Sequence, residues 1–168
     1  MMKIQIKKNR HYPFPPKPTI LPVFVKRFDD TIMKHSFLFT KTCLFDLIDN
    51  DQHDVNKLFG FSIGLHHTTS FRFGWRPILK NNTIQIAACE YHEKIRQKTI
   101  IITELDIDKW YDFELRYSPV LGITTYYCDN HTVTNEFNLK KDFGWGYSLC
   151  TYFGGNEKAP QNIIIYMK

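Results

Sequence analysis

The chain is short of every signature that would name an activity. No Cys-x-x-Cys or Cys-x-x-His spacing links Cys43, Cys89, Cys128 and Cys150, so zinc has no ligand set. No nucleophile elbow, phosphate-binding glycine loop or Ser-His-Asp order occurs. The polar loop Asp49-Asn50-Asp51-Gln52-His53-Asp54 lacks the glycine and the closing glutamate of an EF-hand, so it reads as a solvated turn. These gaps imply no cofactor and no bound metal. Long apolar runs are also missing. Nothing approaches a membrane span, and the opening MMKIQIKKNRHYPFPP holds no apolar segment of signal-peptide length. The expectation is a cytoplasmic or virion-associated protein with free, mostly buried thiols and no membrane partner. Unconventional export would leave the same trace. Basic residues are dispersed apart from Lys7-Lys8-Asn9-Arg10, so no nucleic-acid partner is expected.

What is present suits strands. Alanine is scarce, while aromatics make up 15% of the 168 residues, with 14 Phe and 9 Tyr. Hydrophobic content of 43% and charged content of 23% fit an ordinary globular chain with room for a core. A net charge of +5 is compatible with an anionic partner.

The organising stretch is KLFGFSIGLHHTTSFRFGWR, residues 57–76. Phe59, Phe61, Ile63 and Leu65 alternate with Gly60, Ser62 and Gly64. After the turn His66-His67-Thr68-Thr69-Ser70, Phe71, Phe73 and Trp75 alternate with Arg72, Gly74 and Arg76. Period-two alternation predicts a half-buried antiparallel hairpin. Before it, residues 2–7 read as an edge strand with outward lysines. Pro13, Pro15, Pro16, Pro18 and Pro22 mark an extended strap. Residues 23–28 and 34–47 read as strands, and Pro77 is expected to end the hairpin. Further alternation follows at residues 83–91, 97–103, 110–117, 121–127, 132–137, 146–153 and 162–167. Ten to twelve short strands with no convincing helix predict an all-β antiparallel sandwich. The division is residues 1–33 as edge strand and strap, and 34–168 as the sandwich domain. Phe59, Phe61, Phe71, Phe73, Trp75, Tyr111, Phe113 and Leu115 are the expected core.

Two elements carry a resemblance. One is the segment 100–117, with Asp108-Lys109-Trp110-Tyr111 at its turn. The other is the final hairpin around YFGGNEKAP. On these the chain resembles the concanavalin A-like lectin and glucanase superfamily. It is also similar to short bacterial or phage proteins with GLHH…RFGWR and YFGGN…AP elements. The resemblance covers residues 34–168 and implies a jelly-roll fold with carbohydrate binding or processing. The glucanase ExDxxE strand, the alginate-lyase arginine, glutamine–histidine and tyrosine patterns, and the legume-lectin calcium loop are absent. No functional residue is therefore carried over.

Candidate site residues come from the alternation. Gly60, Ser62 and Gly64 would leave a low floor, and the parity of Arg72, Gly74 and Arg76 can place them on the same face. Arginine forks suit carboxylates and hydroxyl pairs. His66 stands at the end of this face, and Trp110 could supply a stacking plate. The ligand-binding set is thus Arg72, Arg76, Ser62, His66 and Trp110, with no catalytic or metal residue. The opposing reading gives the glycines a packing role and the arginines carboxylate partners. His66 and His67, being adjacent, read as turn residues rather than a metal pair. Glu90, His92, Asp112 and Glu114 are the titratable candidates. Asp112 and Glu114 lie about 7 Å apart on one strand face, a spacing that permits a glycosidase pair without requiring one. Arg116 would pair with them on a solvated face.

Two functions follow. The first is a non-catalytic module binding carbohydrate or another hydroxyl-rich or anionic ligand. The second is a structural or assembly protein, virion-associated or homo-oligomeric, using its edges and strap to contact a protein partner. A polysaccharide hydrolase or lyase stands behind both.

Overall fold

The computed structural model describes residues 1–13, 21–47, 50–138 and 143–168. The middle of the expected proline strap, residues 14–20, and part of the acidic loop, residues 48–49, lie outside the described residues. The described residues form thirteen strands: β1 (Met2–Ile6), β2 (Pro22–Val25), β3 (Thr31–Phe39), β4 (Asn56–Ser62), β5 (Ser70–Ile78), β6 (Thr83–His92), β7 (Ile95–Arg96), β8 (Ile100–Asp106), β9 (Trp110–Ser118), β10 (Ile123–Cys128), β11 (His131–Glu136), β12 (Gly144–Leu149) and β13 (Ile163–Met167). Helical structure among them is limited to two 3-10 turns, Lys41–Cys43 and Asn50–His53. No helix there is long and apolar enough to cross a membrane.

Two antiparallel sheets face each other in a jelly-roll sandwich. The smaller runs β1-β13-β3-β9-β10-β11. The larger runs β2-β12-β4-β5-β6-β7, with β8 sharing the far edge of β6. The alternation read from residues 57–76 dictates the packing. Phe59, Phe61, Phe71, Phe73 and Trp75 point inward and are buried. They meet Phe37, Phe39, Phe113, Leu115, Tyr117 and Tyr126 of the smaller sheet. Phe73 contacts Phe59, Phe113 and Tyr126 with ring centroids 5.0–5.2 Å apart. Offset and edge-on ring pairs at such distances add to the burial of apolar area.

Three local expectations are adjusted. Residues 34–47 do not form one strand: β3 stops at Phe39. There the Thr40 hydroxyl accepts from the Thr42 amide and donates to the Ile164 carbonyl, turning the chain into the Lys41–Cys43 turn. Pro77 sits inside β5 rather than ending it, paired with Ile84. Since β4 ends opposite Trp75, β5 is an edge on that side and accommodates a residue without an N–H. Tyr111 is only half-buried, because its hydroxyl accepts from the Asp106 amide.

One polar group enters the core. Glu90 faces inward from β6 at 2% exposure. Its carboxylate accepts from Tyr126 Oη at 2.8 Å and Asn135 Nδ2 at 2.8 Å, and pairs with His92 Nε2 at 2.7 Å. This network ties β6 to β10 and β11. It turns Glu90 and His92 away from the outer face.

Candidate functional site

The outer face of the larger sheet carries a groove. Gly60 pairs with Arg72, and Arg72 pairs with Cys89, so these three share that face. Leu149 pairs with Gly60, which brings Leu149 and Tyr147 of β12 to the same side. A Cβ on Gly60 would lie 2.1 Å from the Phe71 carbonyl oxygen and 2.9 Å from Arg72 Cγ. Glycine there lets the arginine stem lie close over β4. The isolated bridge between Lys57 and Tyr152 places Tyr152 along the wall. There it stacks on His11 at 5.3 Å and meets Tyr12 edge-on at 4.9 Å.

Arg72 is the centre. Two cavities adjoin it and share His67, Arg72 and Tyr152. One, of about 440 Å3, is walled by Tyr12, His66, Tyr147 and Leu149. The other, of about 480 Å3, is lined by Lys57, Cys89, Tyr91, Arg96 and two acidic residues, Asp54 and Glu90. Arg72 is only 9% exposed, its Nε has no hydrogen-bond partner, and no carboxylate pairs with it among the described residues. Its guanidinium lies 6.0 Å from the Tyr91 ring. Burial lowers the pKa of both Arg72 and Lys57 from their ordinary values. A desolvated guanidinium without a counter-ion is an unfavourable arrangement, and an incoming anion would relieve it.

Beside it, His66 Nδ1 is hydrogen-bonded to the Tyr147 hydroxyl, and the His66 and His67 rings are 4.2 Å apart. Burial first, then the positive charges of His67 and Arg72, hold the His66 pKa below its usual value. The imidazole is therefore neutral at neutral pH.

The structure brings Arg72 and His66 together at this groove. Ser62 lies beneath, fully buried, where its hydroxyl accepts from the Tyr147 amide at 3.2 Å. Arg76 shares the face, but its Nε donates to Gln85 and its Nη1 to the His53 carbonyl, both at 2.8 Å. Trp110 belongs to β9 of the other sheet, under the Lys168 amine at 4.7 Å. Gly64 falls in the turn after β4, with φ +70°. Sequence reasoning missed Tyr12, Lys57, Tyr91, Tyr147 and Tyr152. Alternation along 146–153 could have marked Tyr147; nothing local placed Tyr12, which arrives from far along the chain. Among the described residues no three His, Cys, Asp or Glu side chains gather to hold a metal ion.

No protein-family model matches the chain, and no curated protein does. Solved structures do. An alginate lyase of polysaccharide lyase family 7, A1-II′, is 11% identical over 99% of this chain and 78% of its own, with a TM-score of 0.61. A variant of that lyase in complex with product matches at 11% identity over 86% of this chain and 62% of its own, TM-score 0.59. An alginate lyase from Pseudomonas aeruginosa matches at 6% identity over 84% of this chain and 65% of its own, TM-score 0.58. The chain thus spans less than two thirds of the latter two. At identities this low the likeness shows the fold, a jelly-roll β-sandwich, and leaves activity open.

Proposed function

We propose that the chain binds an acidic, hydroxyl-rich polymer in the groove over Arg72. The observation that carries this reading is the buried guanidinium without a carboxylate partner. An arginine fork donates two parallel hydrogen bonds to a carboxylate, and a desolvated site strengthens them. Tyr12, Tyr91, Tyr147 and Tyr152 add ring faces for sugar rings and hydroxyls for sugar oxygens. Lys57 and Arg96 extend the positive character along the second cavity. The structures that share the fold are named as alginate lyases of a polysaccharide lyase family, which supports a polysaccharide ligand.

Titration calorimetry with acidic and neutral oligosaccharides of matched length tests the proposal. The acidic series binds and the neutral series does not. Arg72→Gln weakens binding at least about tenfold, the loss of one charge-assisted contact worth about 1.5–3 kcal/mol. Equal affinity for both series, or no change in the variant, would refute it.

One observation favours a catalytic form of this reading. A neutral His66 touches the Tyr147 hydroxyl beside Arg72. An arginine-neutralised carboxylate acidifies the adjacent carbon, and an imidazole–phenol pair can move the proton and assist the leaving oxygen. Cleavage by elimination would create a conjugated double bond, seen as new ultraviolet absorbance. Unaltered polymer after prolonged incubation would leave binding alone.

A further inference from the structure

Cys89 stands directly opposite Arg72 in the pairing of β5 with β6, on the groove side. Cross-strand neighbours hold their Cβ atoms about 4.5–5.5 Å apart. The Cys89 sulfur borders the floor left open by Gly74, where an added Cβ would lie 2.9 Å from it. With Val55 and Ala87 it forms a small apolar cluster separate from the main core. The cavity above is lined by Lys57, Arg72 and Arg96, with Asp54 and Glu90, whose carboxylate is engaged by Tyr126, Asn135 and His92, also on its wall.

Cys89 is itself buried, at 7% exposure, yet it lines this cavity, which the other three thiols do not. Burial pushes Cys43 and Cys128 up to about 12, and it also raises Cys150. Cys43 additionally donates to the Ile164 carbonyl. A cysteine that lines a cavity beside cations has the setting of a reactive thiol. Arg72, nine-tenths buried with its Nε unbonded, independently marks the same cavity as a place for an anion.

We propose that Cys89 is a modification site for small disulfides that carry carboxylates. A carboxylate of the disulfide docks on the Arg72 fork. The Cys89 thiolate, its proton released to solvent, attacks the nearer sulfur. A new sulfur–sulfur bond forms as the old one breaks, and the departing thiolate leaves with the bonding pair and takes a proton from water. The Cys89 sulfur is oxidised and the released sulfur is reduced. This inference rests on Arg72 and the cavity, and not on the groove's binding a polysaccharide.

The test treats the reduced full-length chain with glutathione disulfide, which is net anionic, or with cystamine, which is cationic. Mass mapping follows each thiol over time. The expected result is modification at Cys89 first. The glutathione-to-cystamine rate ratio there should exceed the ratio for the same cysteine in the unfolded chain by about tenfold, a modest steering effect. High salt should shrink the excess. Arg72→Lys should keep part of it and Arg72→Gln should lose it. If either variant fails to fold, the salt dependence of the wild type decides. First reaction at Cys150, no label at Cys89, or a rate ratio equal to that of the unfolded chain would each overturn the proposal.

Discussion

The two sheets each present a polar outer face with a hollow in it, and the hollows are of similar size. On the smaller sheet a cavity of about 530 Å3 lies among Lys34, Ser36, Asp112, Glu114, Tyr127 and Asp129. Its three carboxylates each have a hydrogen-bond partner, and Glu114 has counter-ions as well. Glu114 takes Lys34 at 2.8 Å and Arg116 at 2.9 Å, which holds its carboxyl below the usual range. Asp112 takes the Ser36 hydroxyl. Arg116 leaves its Nε unbonded, yet Glu114 neutralises its charge. On the larger sheet Arg72 is more deeply buried and has no such neutralisation. Volume therefore does not distinguish the faces; electrostatic completion does. The Asp112–Glu114 pair, whose spacing permits catalysis, is engaged by its neighbours. The groove over Arg72 is the incomplete one.

Both faces rest on one aromatic core, and the largest effect lies there. Phe73→Ala should lose about 3–5 kcal/mol, since the ring is fully buried against three others. Chemical denaturation measures it; an unchanged midpoint would mean that the inward face is misassigned. Tyr126→Phe comes next. It strips a donor from the buried Glu90 carboxylate and should cost about 1–3 kcal/mol. That variant sharpens the contrast, because Glu90 is a buried charge with its bonds made and Arg72 is one without.

Acid gives a smaller effect. His35 is half-buried against the Phe37 and Phe59 rings, and desolvation lowers its pKa. His66 is shifted in the same direction, but is more exposed. A lowered folded pKa means that the unfolded chain takes up protons first. The stability contribution is therefore intact above about pH 6.5, the unfolded value, and declines as pH falls through the folded values. Melting temperature should drop between pH 7 and pH 5, and less steeply in His35→Phe. A flat profile would count against the burial of this imidazole. Least of all, Lys109→Ala should leave the melting temperature unchanged, because its pairing with Asp106 is solvent-exposed.

Much of the fold was legible because alternation is local. Residues 57–76 carry their own period, so the inward phenylalanines and outward Arg72 follow from parity. Gly60 opposite Arg72 was legible for the same reason. Strand ends were less so: Thr40 turns the chain through a bond to Ile164, a residue remote in sequence. The site was half legible. Arg72 could be marked as a fork on a low floor, but nothing in the sequence distinguished it from Arg76, whose partners Gln85 and His53 come from separate segments. Trp110 carried no sign of which sheet it would join. The tyrosine wall converges from residues 12, 91, 147 and 152, a long-range assembly that no window of sequence contains.

On the proposed function, Arg72 is held buried and uncompensated for an anionic ligand. The most direct measurement is the stability of Arg72→Met beside its affinity for an acidic oligosaccharide. Replacing a buried charge that has no partner should leave stability equal or raised, while affinity falls about tenfold or more. A loss of about 3–5 kcal/mol, the signature of a broken buried ion pair, or an affinity equal to that of the wild type, would contradict the account.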